Sequence, residues 1–148
     1  MAVDRSYVEQ NRVQRERLHA LVGRLSDREL NRALAAGWTV AAVLGHLAFW
    51  DQRVLILVDA WEQGKVPPES DDRTTDWIND AGKPMLLALP PRTAAELATS
   101  IADAIDRRLE SLPDELVARN AASGNLLNFV RATHRRDHLD AIEASLRG

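Results

Sequence analysis

At 148 residues and 16.5 kDa, with 45% hydrophobic and 28% charged residues, the chain fits one soluble domain, 1–148, with a core of its own. The net charge of -3 is small and interspersed, which argues against a nucleic-acid partner, and the absence of cysteine excludes disulfides, thiolate ligands and a cysteine nucleophile. No apolar leader follows Met1, and the most apolar run, Val54 to Val58, is too short to span a bilayer, so no membrane association is expected and the expected location is the cytoplasm.

From about Asp4 to Leu25, apolar residues at Val8, Leu18, Leu21, Val22 and Leu25 predict an amphipathic helix. Ser26-Asp27-Arg28-Glu29 has the form of a capping box opening a short helical turn, and Gly37 then breaks the chain. Thr39 is a suitable N-cap for a second long helix, about Val40 to Gln63, burying Val43, Leu44, Leu47, Trp50, Val54, Leu57 and Trp61. Gly64 and Pro67-Pro68 end it, and Lys65 to Thr75 reads as a polar loop. A helical turn is expected at Asp76 to Asp80, with an extension over Lys83 to Leu89 that tolerates Pro84 near its start.

Pro90-Pro91 is a break, after which Thr93 and Glu96 suggest a capping box for a third helix running to about Leu112, with the stripe Leu97, Ile101, Ile105 and Leu109. Asp114 to Ser123 reads as a connector, and a fourth helix is expected over about Leu126 to Leu146. Four long amphipathic helices and no strand predict an all-α, antiparallel four-helix bundle with a long connection between helices 2 and 3.

His134 and His138 lie one helical turn apart on the last helix, filling a gap in the stripe Leu127, Val130, Ile142 and Leu146. Two imidazoles in an apolar stripe need partners, because an unpaired buried polar group costs about 1–3 kcal/mol. A metal ion satisfies both, and interior carbonyls or carboxylates are the alternative. A catalytic zinc takes three protein ligands. His46, between Val43 and Trp50 on the second helix, faces inward and is the third candidate, whereas the neighbours of His19 are polar and place it on the surface. Arg131, Arg135 and Arg136 are expected on the outer faces of the last helix, and Asp51 and Asp137 are either surface residues or acceptors that orient a ligand ring.

The run Gly37-Trp38-Thr39-Val40-Ala41-Ala42-Val43-Leu44-Gly45-His46-Leu47-Ala48-Phe49-Trp50-Asp51 resembles the early motif of the DinB-like superfamily of four-helix-bundle metalloenzymes, and His134-x-x-x-His138 resembles its second metal motif. The resemblance covers essentially the whole chain in order. It implies a divalent metal, zinc or nickel, on His46, His134 and His138, and often a homodimer. It also implies kinship with thiol-dependent transferases using mycothiol, bacillithiol or glutathione, and with mycothiol-dependent maleylpyruvate isomerases. With no cysteine in the chain, the thiol would be exogenous. Arg131, Arg135 and Asn79 are the candidates for binding a small-molecule substrate or thiol cofactor. The leading expectation is therefore a metal-dependent thiol transferase. A metal-dependent hydrolase, or a non-enzymatic stress-response protein on the same bundle, is the alternative.

Overall fold

The computed structural model describes residues 2–148. The helices are α1 (Ser6–Arg24), α2 (Asp27–Leu30), α3 (Val40–Glu62), α4 (Asp72–Ala88), α5 (Pro91–Glu110), α6 (Asp114–Ala122) and α7 (Ala132–Arg147). Among the described residues there is no strand, only an isolated bridge between Ala33 and Thr39. That bridge closes a tight turn in which Ala36 (φ 57°) and Gly37 (φ 76°) are left-handed. Gly37 takes this conformation without a Cβ penalty, whereas Ala36 holds it under modest strain.

Local signals explain most boundaries. The Ser26 hydroxyl accepts from the Glu29 amide and the Glu29 carboxylate from the Ser26 amide, so the expected capping box forms. Thr39 caps α3 through the Ala42 amide at 3.1 Å. The box at Thr93 does not form, because Pro91 already opens α5 with its φ preset for the first turn and Thr93 lies inside the helix. The second connection is also more ordered than the sequence suggests. Asp71 caps the amide of Thr74 at 2.7 Å, and α4 then runs continuously through Pro84.

The last helix starts later than expected. Residues 114–122 are helical, 126–131 are not, and Leu127 and Val130 therefore precede α7 rather than lie on its stripe. The buried face of α7 is Arg135, Leu139 and Ile142, at helical spacing. On α5, the buried residues are Ala94, Ala95, Ala98, Ala102, Ile105, Asp106 and Leu109, while Leu97 is exposed and Ile101 half-buried. Small side chains let α5 approach α3 closely. A Cβ added at Gly45 would lie 3.7 Å from the Cβ of Ala94.

The long helices α1, α3, α5 and α7 form the bundle, and side-chain pairs fix their directions. Arg15 meets Asp106 and His19 meets Asp103, so α1 and α5 are antiparallel. His46 meets His138 and Asp51 meets Arg131, so α3 and α7 are antiparallel. Gly45 faces Ala94 and Asp59 bonds Arg108, so α3 and α5 run parallel. Likewise Asn11 meets Arg131 and Arg17 meets Asp140, which makes α1 and α7 parallel. The long connection expected between helices 2 and 3 is what permits the parallel pair, since α4 carries the chain back to the starting end.

The core divides into two apolar clusters. One contains Leu18, Leu21, Leu44, Leu47, Ala98, Leu139 and Ile142, and the other Tyr7, Val54, Val58, Trp61, Leu109 and Phe129. Between them lies a polar layer of Asn11, Asp51, Asp106 and Arg135, all buried. Among the described residues α3 alone is long and apolar enough to cross a membrane, so Val54 to Val58 understated it. However, 61% of its most apolar window is buried inside the bundle, as expected for a core helix.

Candidate metal centre

His46 projects from α3, and His134 and His138 from the first two turns of α7, where the antiparallel helices face each other. The ring centroids form a near-equilateral triangle, with His46–His134 at 4.9 Å, His46–His138 at 4.9 Å and His134–His138 at 4.8 Å. One ring nitrogen from each lies within 4.8 Å of the others, and the Nε2 atoms of His46 and His134 are 3.0 Å apart. Nitrogens about 2.0–2.1 Å from a tetrahedral zinc stand roughly 3.3 Å from one another, so this donor set fits a small divalent cation after modest side-chain rotation. His46 is buried, whereas His134 and His138 are half-buried at the edge of the α7 stripe rather than within it.

Electrostatics keep these rings in the ligating form. Burial, then the neighbouring His138, pushes the His46 pKa down to about 4. Burial, then His138, His46, Arg131 and Arg135, pushes His134 down to about 3. Burial lowers His138 as well, opposed by the charge of Asp137. All three are neutral near pH 7, with lone pairs for a cation. Trp38 and Trp50 approach the His46 ring edge-on, at 5.7 and 6.5 Å between centroids, and pack it in place.

The triad lines a cleft of about 1060 Å³. Its walls are the Ala33–Ala36 turn, Trp38 and Trp50, the α4 residues Thr75, Asn79 and Asp80, and Asn128, Arg131, Ala141 and Ser145. α4 contributes to this wall while burying none of its own residues. The Trp50 indole donates to the Asn79 carboxamide at 2.8 Å, and Lys83 donates to the Ala36 carbonyl while its ammonium lies 5.5 Å from the Trp38 ring.

Beneath the histidines runs the polar layer. Arg131 donates from Nε to Asp51 at 2.8 Å. Arg135 donates to both carboxylate oxygens of Asp106 at 2.8 Å, to Asp51 at 3.1 Å and to the Asn11 carbonyl at 3.3 Å. Arg15 adds a 2.7 Å bond to Asp106. Burial alone would lower the Arg135 pKa, but the hydrogen bonds of Asp106 and the charge of Asp51 raise it. From α1, Asn11 accepts from the amides of Arg131 and Ala132 at 2.7 and 2.9 Å, and so caps α7 from another helix.

Several expectations are corrected here. Arg131 and Arg135 are interior, at 5% and 1% exposure, rather than on the outer faces. All three nitrogens of Arg135 are engaged by the network, which leaves it no role in holding a substrate. Asp51 is neither a surface residue nor a partner of a histidine, since its carboxylate binds the two arginines. Asp137 is exposed and pairs with Arg136. His19 is on the surface as expected, 2.7 Å from Asp103. Asn79 does line the cleft, although its oxygen is occupied by Trp50. Missed altogether were Asn11, Asp106 and Asn128. The available clue was a carboxylate, Asp106, on an otherwise apolar helix face.

Comparison with curated proteins and with solved structures gave no match. The family model of the DinB superfamily matches residues 10–142, which takes in all three histidines and the helices that carry them. The chain belongs to the DinB superfamily.

Proposed function

We propose that the protein is a metal-dependent enzyme that joins an exogenous low-molecular-weight thiol, such as mycothiol or bacillithiol, to a small electrophile in the cytoplasm. The observation that carries this reading is the convergence of three neutral imidazoles on the wall of a cleft large enough for two small molecules. A zinc or nickel ion held by His46, His134 and His138 would supply Lewis acidity, lowering the pKa of a thiol or water admitted on its open side. The chain's own part is to present three uncharged ligands, which leave the cation's charge undiminished. It also walls the cleft with Trp38 and Trp50 and ties α4 to it through the Trp50–Asn79 hydrogen bond.

A transferase fits this cleft better than a hydrolase does. Metal-assisted hydrolysis usually pairs the ion with a carboxylate base, and among the described residues the cleft is lined by a single carboxylate, that of Asp80 on α4. A thiol is intrinsically far more acidic than water, so with an ion in place it would depend less on such a base to become the nucleophile.

Untagged protein is expected to bind one zinc or nickel per chain, and His138→Ala to lose it. The metal-loaded protein is expected to consume thiol with an electrophile panel. The metal reading fails if purified wild type neither binds nor is stabilised by zinc or nickel. The transferase reading fails if metal-loaded protein leaves every thiol and electrophile pair unchanged.

A further inference from the structure

Arg131 differs from the other buried arginine in one respect. Its Nε is held by Asp51 and its Nη1 makes only a 3.4 Å contact with the Asn128 carbonyl, while Nη2 has no acceptor among the described residues. Among the described residues no fully enclosed polar side-chain atom lacks a partner, so Nη2 must reach the outside, and the surface Arg131 lines is the cleft. It is the only lysine or arginine among the residues lining that cleft. Its residue is nonetheless 95% removed from solvent, being 5% exposed. A guanidinium fixed along one side and open at its end is preorganised to take an anion through two parallel hydrogen bonds.

One neighbour strengthens the seat. Asn128 lines the same cleft, and its carboxamide oxygen accepts from the Val130 amide at 3.2 Å, which leaves the NH2 group free to donate. The same cleft has apolar lining from Leu34, Ala35, Ala36, Trp38 and Val43.

We propose that Arg131, aided by Asn128, is the carboxylate-binding residue of the cleft, and that the cleft takes an amphipathic carboxylate whose apolar body lies against Trp38 and the Ala33–Ala36 turn. The inference rests on reading the cleft as the substrate site, but it does not need the metal. In metal-free protein Arg131 is still the only lysine or arginine that lines the cleft.

The test uses full-length, metal-free protein with phenylacetate, its uncharged analogue 2-phenylacetamide, and inorganic phosphate as titrants. Phenylacetate is expected to bind about ten- to a hundred-fold more tightly than the amide, the worth of a charge-assisted pair. It is also expected to outcompete phosphate, which lacks the apolar body. The Arg131 Nε–H resonance is expected to shift with phenylacetate and not with the amide. Arg131→Met should bring the acid down to the affinity of the amide, while Asp51 keeps its bond to Arg135. Equal binding of acid and amide, or acid binding that survives in a folded Arg131→Met, overturns the proposal. Phosphate binding as tight as phenylacetate overturns the amphipathic part. If Arg131→Met does not fold, the wild-type acid and amide comparison and the Nε–H signal decide alone. Metal content, measured separately, shows whether the metal reading has failed independently.

Discussion

Replacing Asp51 by asparagine separates charge from shape in the polar layer. The Asp51 side chain is 3% exposed and bridges Arg131 (6%) and Arg135 (1%), with its closest contacts at 2.8 and 3.1 Å. In Asp51→Asn, Arg135 keeps both 2.8 Å bonds to Asp106, but Arg131 is left without a carboxylate. Breaking a buried ion pair from one side costs about 3–5 kcal/mol, and the remaining amide oxygen can still accept one bond, which puts the expected loss near 3 kcal/mol. With a urea m-value of roughly 2 kcal/mol/M, the midpoint should fall by about 1.5 M. The assay is urea unfolding in the presence of a chelator, so that metal binding does not contribute. Asp114→Asn is the control. It removes an exposed pair with Arg5, whose aspartate side chain is 74% exposed, and is expected to move the midpoint only slightly. If Asp51→Asn shifts the midpoint no further than Asp114→Asn, the reasoning about the buried layer is wrong.

Three further outcomes are expected. Asn11→Ala removes one bond to the Phe129 carbonyl at 2.8 Å and two from the amides that open α7; the Arg131 amide and Phe129 carbonyl keep their 3.1 Å bond to each other, while the Ala132 amide loses its partner, so roughly 2 kcal/mol should be lost, lowering Tm by about 4–8 °C in a calorimetric scan. Gly45→Val places a branched side chain where a Cβ already comes 3.1 Å from Leu86, so it should cost about 1–3 kcal/mol in a denaturant titration and loosen α4 beside His46. The third concerns pH. Because the folded-state pKa values of His46 and His134 lie near 4 and 3, below the ordinary value of 6.5, the unfolded chain binds protons first as pH falls. Stability is therefore full above about pH 6.5 and declines toward pH 3, by up to about 1.4 kcal/mol per pH unit for each histidine. His134→Gln should flatten that slope in metal-free protein, and an unchanged slope would show that the histidine does not contribute.

The triad was legible because its signal is local. His134 and His138 are one turn apart, and His46 sits among apolar neighbours whichever helix bounds are drawn. Arg135 was misplaced for the opposite reason. Extending the last helix back to Leu126 put Leu127 and Val130 on its stripe, and the phase of that stripe then pushed Arg135 outward. With α7 beginning at Ala132, the inward positions are Arg135, Leu139 and Ile142, and a guanidinium in that row has to meet carboxylates from other helices. Its partners Asp51 and Asp106 lie 84 and 29 residues away, a separation no helical period encodes. The start of α7 was hidden in the same way, since the residue that caps it, Asn11, is on α1. The parallel run of α3 and α5 could be anticipated only from the length of their connection. α4 was underestimated because its apolar residues are half-buried or exposed, so its face never resolves into a core stripe.

The ligands of the triad come from two helices and are 88 residues apart along the chain at the His46–His134 junction. An ion held there would be a cross-link as well as a reagent. It would close a loop of that length in the unfolded chain, for which chain-entropy arguments give on the order of 4–5 kcal/mol for a covalent tie. The C-terminal helix could then not leave the bundle without first letting go of the metal. Undocking of α7 and metal release would become one event, visible as amide hydrogens of α7 that exchange at the rate at which a chelator strips the protein.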